Sequence, residues 1–293
     1  MARNDTSMGD LRGAIQREVH RLVGFDDGTV DLTRPPGDDG LVGPGSAAWV
    51  VHGDFTAMMA GGVAALLLQM LHPGALAGVW DHSNFRADML GRLRRTAQFI
   101  SATTYGSTET AERMIARVRS IHDRVAGTLP DGTPYSANDP GLLTFVHVAE
   151  VASFLAAHRR YRDPDYPAAE QDRYLAEYAR VAEALGARDV PRSRAEVDAY
   201  FTAIRPRLRA DHRTRAVARA LLDQPVAVPA LASAQTLLMA AGIDLLPRCA
   251  VTLHDLSPPP GRRPIVRAGM AGVGSVLRWA LRDGSAKRAA EQG

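Results

Sequence analysis

Apolar residues recur every three or four positions along most of this chain, a period that marks helices rather than strands. In residues 113–127, Met114, Ile115, Val118, Ile121, His122 and Val125 share one stripe, while Arg113, Arg117, Ser120, Asp123 and Arg124 fall mostly elsewhere. The stripe puts His122 on the buried side. The same period predicts helices over 9–24, 55–71, 84–101, 108–126, 139–160, 166–186, 193–208, 211–223, 229–246 and 263–282. Boundary signals agree with several of them: Ser83 as an N-cap, Asn138 or Asp139 before Pro140, and Ser193 with Glu196 as a capping box. Strand signals are nearly absent. The pattern therefore predicts an all-α fold, a single multi-helix domain of globin-like character.

Two interruptions divide the chain. The segment DDGTVDLTRPPGDDGLVGPGSAAW, rich in Gly, Pro and Asp, cannot hold regular structure for long and reads as a loop or arm. Pro258, Pro259 and Pro260 break the pattern again before a last helix and a polar end. Residues 1–48 are thus expected to form an N-terminal helix and arm, 49–256 the helical body, and 257–293 a C-terminal helix and tail packed on that body. No internal repeat is visible.

Composition narrows the function classes. The 293 residues are 46% hydrophobic and 23% charged, and the net charge of +3 comes from arginines spread along the chain, so no nucleic-acid partner is expected. Cys249 is the single cysteine, which precludes an intramolecular disulfide and suits a cytoplasmic location. The first residues lack the apolar core of a signal peptide. The run AMMAGGVAALLLQML (57–71) is shorter than the ~20 residues a spanning helix needs and meets His72-Pro73, so a core helix is expected and no transmembrane segment. Monomer and homodimer both remain open.

Familiar catalytic spacings are missing. HExxH, ExxH, CxxCH, GxGxxG, the phosphate-loop motif and the GxSxG elbow do not occur. What remains is polar residues on apolar helix faces. Phe85, Met89, Arg92, Thr96 and Phe99 form one face, bordered by Arg95; Leu143, His147, Glu150 and Phe154 form another. An inward guanidinium needs an anion opposite it, because a buried unpaired charge destabilises by several kcal/mol. Glu150 and Asp88 are the carboxylates that would serve a purely structural pairing. Taken singly, His122 and His147 are more often hydrogen-bonded core residues than ligands. Taken together, inward histidines and arginines suit a flat macrocycle held by a neutral imidazole on iron and by guanidiniums on carboxylates, as in haem b, although many apolar ligands could fill such a cleft.

The run GDFTAMMAGGVAALLLQMLHPGALAGVWDHSNFRADMLGRLRRTAQFISATTYGST, then RVRSIHDRV, then YSANDPGLLTFVHVAEVASFLAAHRRY, resembles the bacterial and fungal haem oxygenases typified by latex-clearing protein and the MpaB oxygenase. The likeness covers about residues 50–250. It rests on an HP after an apolar helix, an RxxxT helix, an RxxH helix and a DPxLLxxVH helix. It implies an all-α fold around haem b, with His122 as proximal iron ligand and Arg119 as a haem-propionate or second-shell partner. It implies a distal side lined by Arg92, Arg95 and Thr96 as catalytic residues, and His147 as a further cofactor-binding residue. Latex-clearing protein has a lysine where Arg95 stands and a distal glutamate upstream, and residues 56–108 here contain no Glu. The resemblance thus implies an oxygenase that activates O2 on an apolar, unsaturated or isoprenoid small molecule, rather than polyisoprene cleavage in particular. The alternatives are a haem carrier or sensor without catalysis, a metal-free helical ligand-binding protein, and thiolate ligation through Cys249. The wall of the pocket is expected from Met58 to Leu71, with His72 a helix-end residue.

Overall fold

Short polar side chains start most of the helices. Ser46, Asp54, Asp88, Ser107, Asp139, Ser193 and Asp211 each accept a hydrogen bond from a backbone N–H of the first turn, supplying a partner that the helix itself cannot provide. The computed structural model describes residues 12–19, 32, 34–225, 231–257, 259 and 261–281. Helical residues 12–19 are α1. Then follow α2 (Ala47–His52), α3 (Phe55–Gln69), α4 (Pro73–His82), α5 (Met89–Tyr105) and α6 (Thr108–His122). A short hairpin, β1 (Ala126–Thr128) with β2 (Pro134–Ser136), separates these from α7 (Pro140–Tyr161). The second half holds α8 (Ala168–Leu185), α9 (Arg194–Ile204), α10 (His212–Leu222), α11 (Ala232–Leu245), α12 (Arg248–His254) and α13 (Arg262–Ala280).

The fold is all-α, as the periodicity predicted. Its centre is the pair α3 and α7, whose buried residues surround each helix instead of lining one face. Glycine makes their close approach possible: a Cβ at Gly61 would lie 2.8 Å from Phe154 Cδ1 and 3.1 Å from the Phe154 Cα. Around this pair, α11 and α13 pack on α3, while α2 and α8 pack together beside α5 and α7. One apolar cluster joins α3 and α4 to α7, α10 and α12 through Leu67, Leu76, Phe145, Leu221 and Val251; another joins α2, α7 and α8 through Val51, Val148, Tyr174 and Tyr178.

Several local expectations are corrected. The helix predicted over 84–101 begins five residues later: Ser83 does not cap it, and Asp88 does, accepting from Gly91 N at 2.8 Å. The predicted 193–208 helix ends at Ile204 in a 3-10 turn, and its capping box is half formed, since Glu196 accepts from Arg192 N instead of Ser193 N. Helices α2, α4 and α12 and the β1–β2 hairpin were not foreseen; each is too short to show a period. Of the first predicted helix, residues 9–11 and 20–24 lie outside the described residues, as do 282–293 of the polar tail.

The expectation that no stretch is long and apolar enough to span a bilayer is also corrected. By length and composition α7 is, although 67% of its most apolar window is buried inside the protein.

Candidate functional site

Helices α5 and α6 carry most of the residues singled out by sequence, and they are joined by the turn Gly106–Ser107. Arg92 stands near the start of α5 and His122 at the end of α6, each about four helical turns from that junction. Arg92 is half-buried against Leu66, Leu67, Met70, Met89 and Leu221. Its Nη1 donates to Ser83 Oγ at 3.2 Å, so its partner is a hydroxyl and neither Glu150 nor Asp88. Burial, with the neighbouring Arg95 charge, lowers its pKa. Arg95 instead meets Asp88 at 3.4 Å in an exposed pair. Thr96 is exposed too and donates back to the Arg92 carbonyl at 3.2 Å. The inward reading of this face therefore holds for Arg92 in part and is corrected for Arg95 and Thr96. The late helix start leaves only Arg92 beside the α3 and α10 side chains.

His122 is half-buried, not fully enclosed, and the neighbouring Ile121 is 44% exposed. The reading of its stripe as a buried face is corrected accordingly: only Ile115 of the six residues is buried. Its Nδ1, however, is shut away from solvent with no hydrogen-bond partner. Burial lowers its pKa against the opposing pull of Asp123, which favours the neutral imidazole that can bind a metal. Arg119, one turn earlier, is exposed and donates from Nη1 to the Ala184 carbonyl at 3.1 Å, serving the C-terminal turn of α8.

His147 is in the interior of α7. Its ring stacks on Tyr178 with centroids 6.1 Å apart and planes 18° from parallel, and its Nε2 has no partner. Burial alone pushes its pKa down to about 4. No hydrogen bond or ring contact joins His147, His122 and Arg92 to one another among the described residues.

Around His147 the structure gathers a polar cluster that sequence reasoning missed. His52 Nδ1 is 2.9 Å from Thr104 Oγ1 and its Nε2 is 2.9 Å from Tyr174 Oη; the Tyr178 hydroxyl is 2.9 Å from Thr103 Oγ1. Burial, with the charges of His147 and His158, lowers the pKa of His52 to about 3. Glu150, one turn after His147, has its carboxyl pushed up to about 7 by burial; burial, with the Glu150 charge added, raises the Tyr174 and Tyr178 phenols. A carboxyl poised near neutrality can take or give a proton at physiological pH. His52 was hidden because it follows the arm read as coil. The sequence places Glu150 on one helix face with His147 and offers it as a partner for Arg92, without the tyrosines and His52 that stand around it.

The remaining candidates are structural. His72 accepts from Gly74 N at 3.2 Å and caps α4, tilted on Phe145 at 4.9 Å, and burial lowers its pKa to about 4. Cys249 is half-buried on α12. No group of three or more His, Cys, Asp or Glu side chains is placed to hold a metal ion among the described residues. Haem iron needs only one imidazole from the protein.

A family model described as "ER-bound oxygenase mpaB/B'/Rubber oxygenase, catalytic domain" matches residues 49–279, from within α2 to within α13. No curated protein and no solved structure matches the chain.

Proposed function

The chain belongs to the mpaB and rubber oxygenase catalytic-domain family, and from that premise we propose that it is a haem-b-dependent oxygenase acting with O2 on an apolar small molecule. Family membership supplies the reaction class, oxygenation. His122 carries the proposal of haem. The enclosed Nδ1 of His122 has no hydrogen-bond partner, a state it shares with His147 Nε2, His254 Nδ1 and both nitrogens of His158, and of these rings His122 is the one on the RxxH helix of the family resemblance. A neutral, incompletely satisfied imidazole on the RxxH helix is a suitable donor for iron.

Bound haem would supply an iron that activates dioxygen. His122 would hold the metal, and its lowered pKa keeps the ring unprotonated and ready at neutral pH. Arg92 would present N–H donors to a polar group while Leu66, Leu67, Met70 and Met89 keep water from it, which strengthens each such hydrogen bond. Arg95 and Arg119, both exposed, suit carboxylates at the rim. Thr96 adds a hydroxyl on the same helix, and His147 a neutral imidazole from α7. Glu150 would supply a proton-exchanging carboxyl from α7, in place of the glutamate that residues 56–108 lack. The exposure of Arg95 and Thr96 favours, as a second reading, a haem carrier or sensor. A cytoplasmic location belongs to the proposal as well.

The test is a haem titration of the full-length protein. A Soret band that saturates at one haem per chain and is lost in His122→Ala is expected. Absence of the band overturns haem binding and leaves a metal-free ligand-binding protein, whereas an unchanged band in the variant overturns ligation by His122. Oxygen consumption by the reduced holoprotein with unsaturated apolar compounds then separates an oxygenase from a carrier.

A further inference from the structure

At the far end of α7 from the α5–α6 residues lies a cavity of about 450 Å³, within the range of small-molecule sites. His158 lines it, eleven residues beyond His147, which is about 16 Å along the helix. The cavity is built where the C-terminal ends of α2, α7 and α13 meet the start of α3.

Its polar lining is unusual for a protein interior. His158 is 2% exposed, and neither of its ring nitrogens has a hydrogen-bond partner. Thr56 is 3% exposed, and its Oγ1 has none. The indole Nε1 of Trp49 is buried and likewise unpartnered. Buried polar atoms almost always find partners, and one left unmet destabilises the fold. Unmet polar atoms on three of the side chains that line one cavity point to something that occupies it.

The chemistry of the lining defines the occupant. Trp49 Nε1 can only donate, and the Thr56 hydroxyl and one His158 nitrogen can donate. Two acids line the site and both are engaged: Asp163 accepts from Asp165 N at 3.2 Å, and Asp54 caps α3 through Ala57 N at 2.9 Å and accepts from Arg278 Nη1 at 2.9 Å. Arg162 reaches that same carboxylate only at 3.8 Å. Donors thus outnumber acceptors. Between them lie Val50, Phe55, Leu277 and Leu281, an apolar lining. We propose that this cavity is a second ligand site, which takes an apolar molecule bearing a carboxylate, the carboxylate facing Trp49, Thr56, His158 and Arg162. It requires no haem and stands independently of the oxygenase reading.

The probe is decanoate, added to the full-length protein without haem, with decanol as the control of equal chain length. The indole N–H of Trp49 is read by two-dimensional NMR, with Trp80 and Trp279 as internal references. Saturable movement of the Trp49 signal is expected with decanoate, at least tenfold weaker with decanol. Thr56→Val, which preserves shape, and Arg162→Gln, which removes the guanidinium charge, are each expected to weaken decanoate binding at least fivefold. A Trp49 signal that stays still up to millimolar decanoate, equal binding of decanol, or full affinity in both variants would overturn the proposal.

Discussion

Among single residues, His52 shows best how a side chain can be central to the fold without any sign in its neighbourhood. Both its nitrogens are used, by Thr104 and by Tyr174, which are 52 and 122 positions away in the chain. His52→Ala removes a buried ring and strands two hydroxyls, and is expected to lower the unfolding free energy by roughly 3 kcal/mol, read by urea denaturation at pH 7. A loss under 1 kcal/mol would contradict this account. The titration of the cluster has opposite signs for its acid and its bases. His52 and His147 have pKa values depressed from 6.5 to about 3 and about 4, so the unfolded chain binds their protons first and stability is lost as pH falls below 6.5. Glu150 is raised from 4.5 to about 7, so the folded chain binds its proton first and stability is lost as pH rises through that window. Glu150→Gln is therefore expected to gain stability relative to the parent protein at pH 8 and little at pH 4, measured by urea midpoints at the two values. An equal difference at both pH values would remove the ionisation of Glu150 from the account.

At the scale of elements, the period located α3, α7, α8 and α10 alike, but only α8 and α10 have one clear apolar face. The central helices α3 and α7 are apolar all round, and what their sequence does not reveal is which side meets which. Gly61 settles that for this pair, because only there can α3 come within reach of the α7 backbone at Phe154. Gly61→Ala is expected to cost about 1–3 kcal/mol, since the Phe154 Cα and the Ser153 carbonyl, each 3.1 Å from the added carbon, cannot step aside as a flexible side chain would. A thermal midpoint unchanged from that of the parent would show that the pair separates freely. The same distinction explains the shift at α5. Periodicity located the helix, but its start depended on whether Ser83 would cap it or accept from Arg92, and the fold chose the second.

For the molecule as a whole, α7, α11 and α13 are tied by one buried acid. Asp244 is 8% exposed and receives Arg160 at 2.9 Å, Arg267 at 3.1 Å and Arg263 at 3.4 Å, with the Tyr161 hydroxyl at 3.3 Å. Removing the acid leaves three cations facing one another. Asp244→Ala is expected to destabilise by about 3–5 kcal/mol and to expose the amides of α13 to hydrogen exchange ahead of those of α3. Uniform exchange across both helices would mean that α13 is held by the apolar contacts that its Val266 and Met270 make, without Asp244.

The sequence by itself determined the helical class, most of the long helices and the family, because these depend on near-neighbour spacing and on motifs whose order survives without any coordinates. It also singled out Arg92, His122 and His147, but as members of helix faces, without their partners. Only the tertiary structure decided that Arg92 turns to Ser83, that Arg95 and Thr96 face outward, that His147 stacks on Tyr178 beside His52 and Glu150, and that His158 lines a separate cavity. The reason is physical. Burial and hydrogen-bond satisfaction are set by groups brought together from distant parts of the chain, and a helical period carries no information about what will stand opposite it.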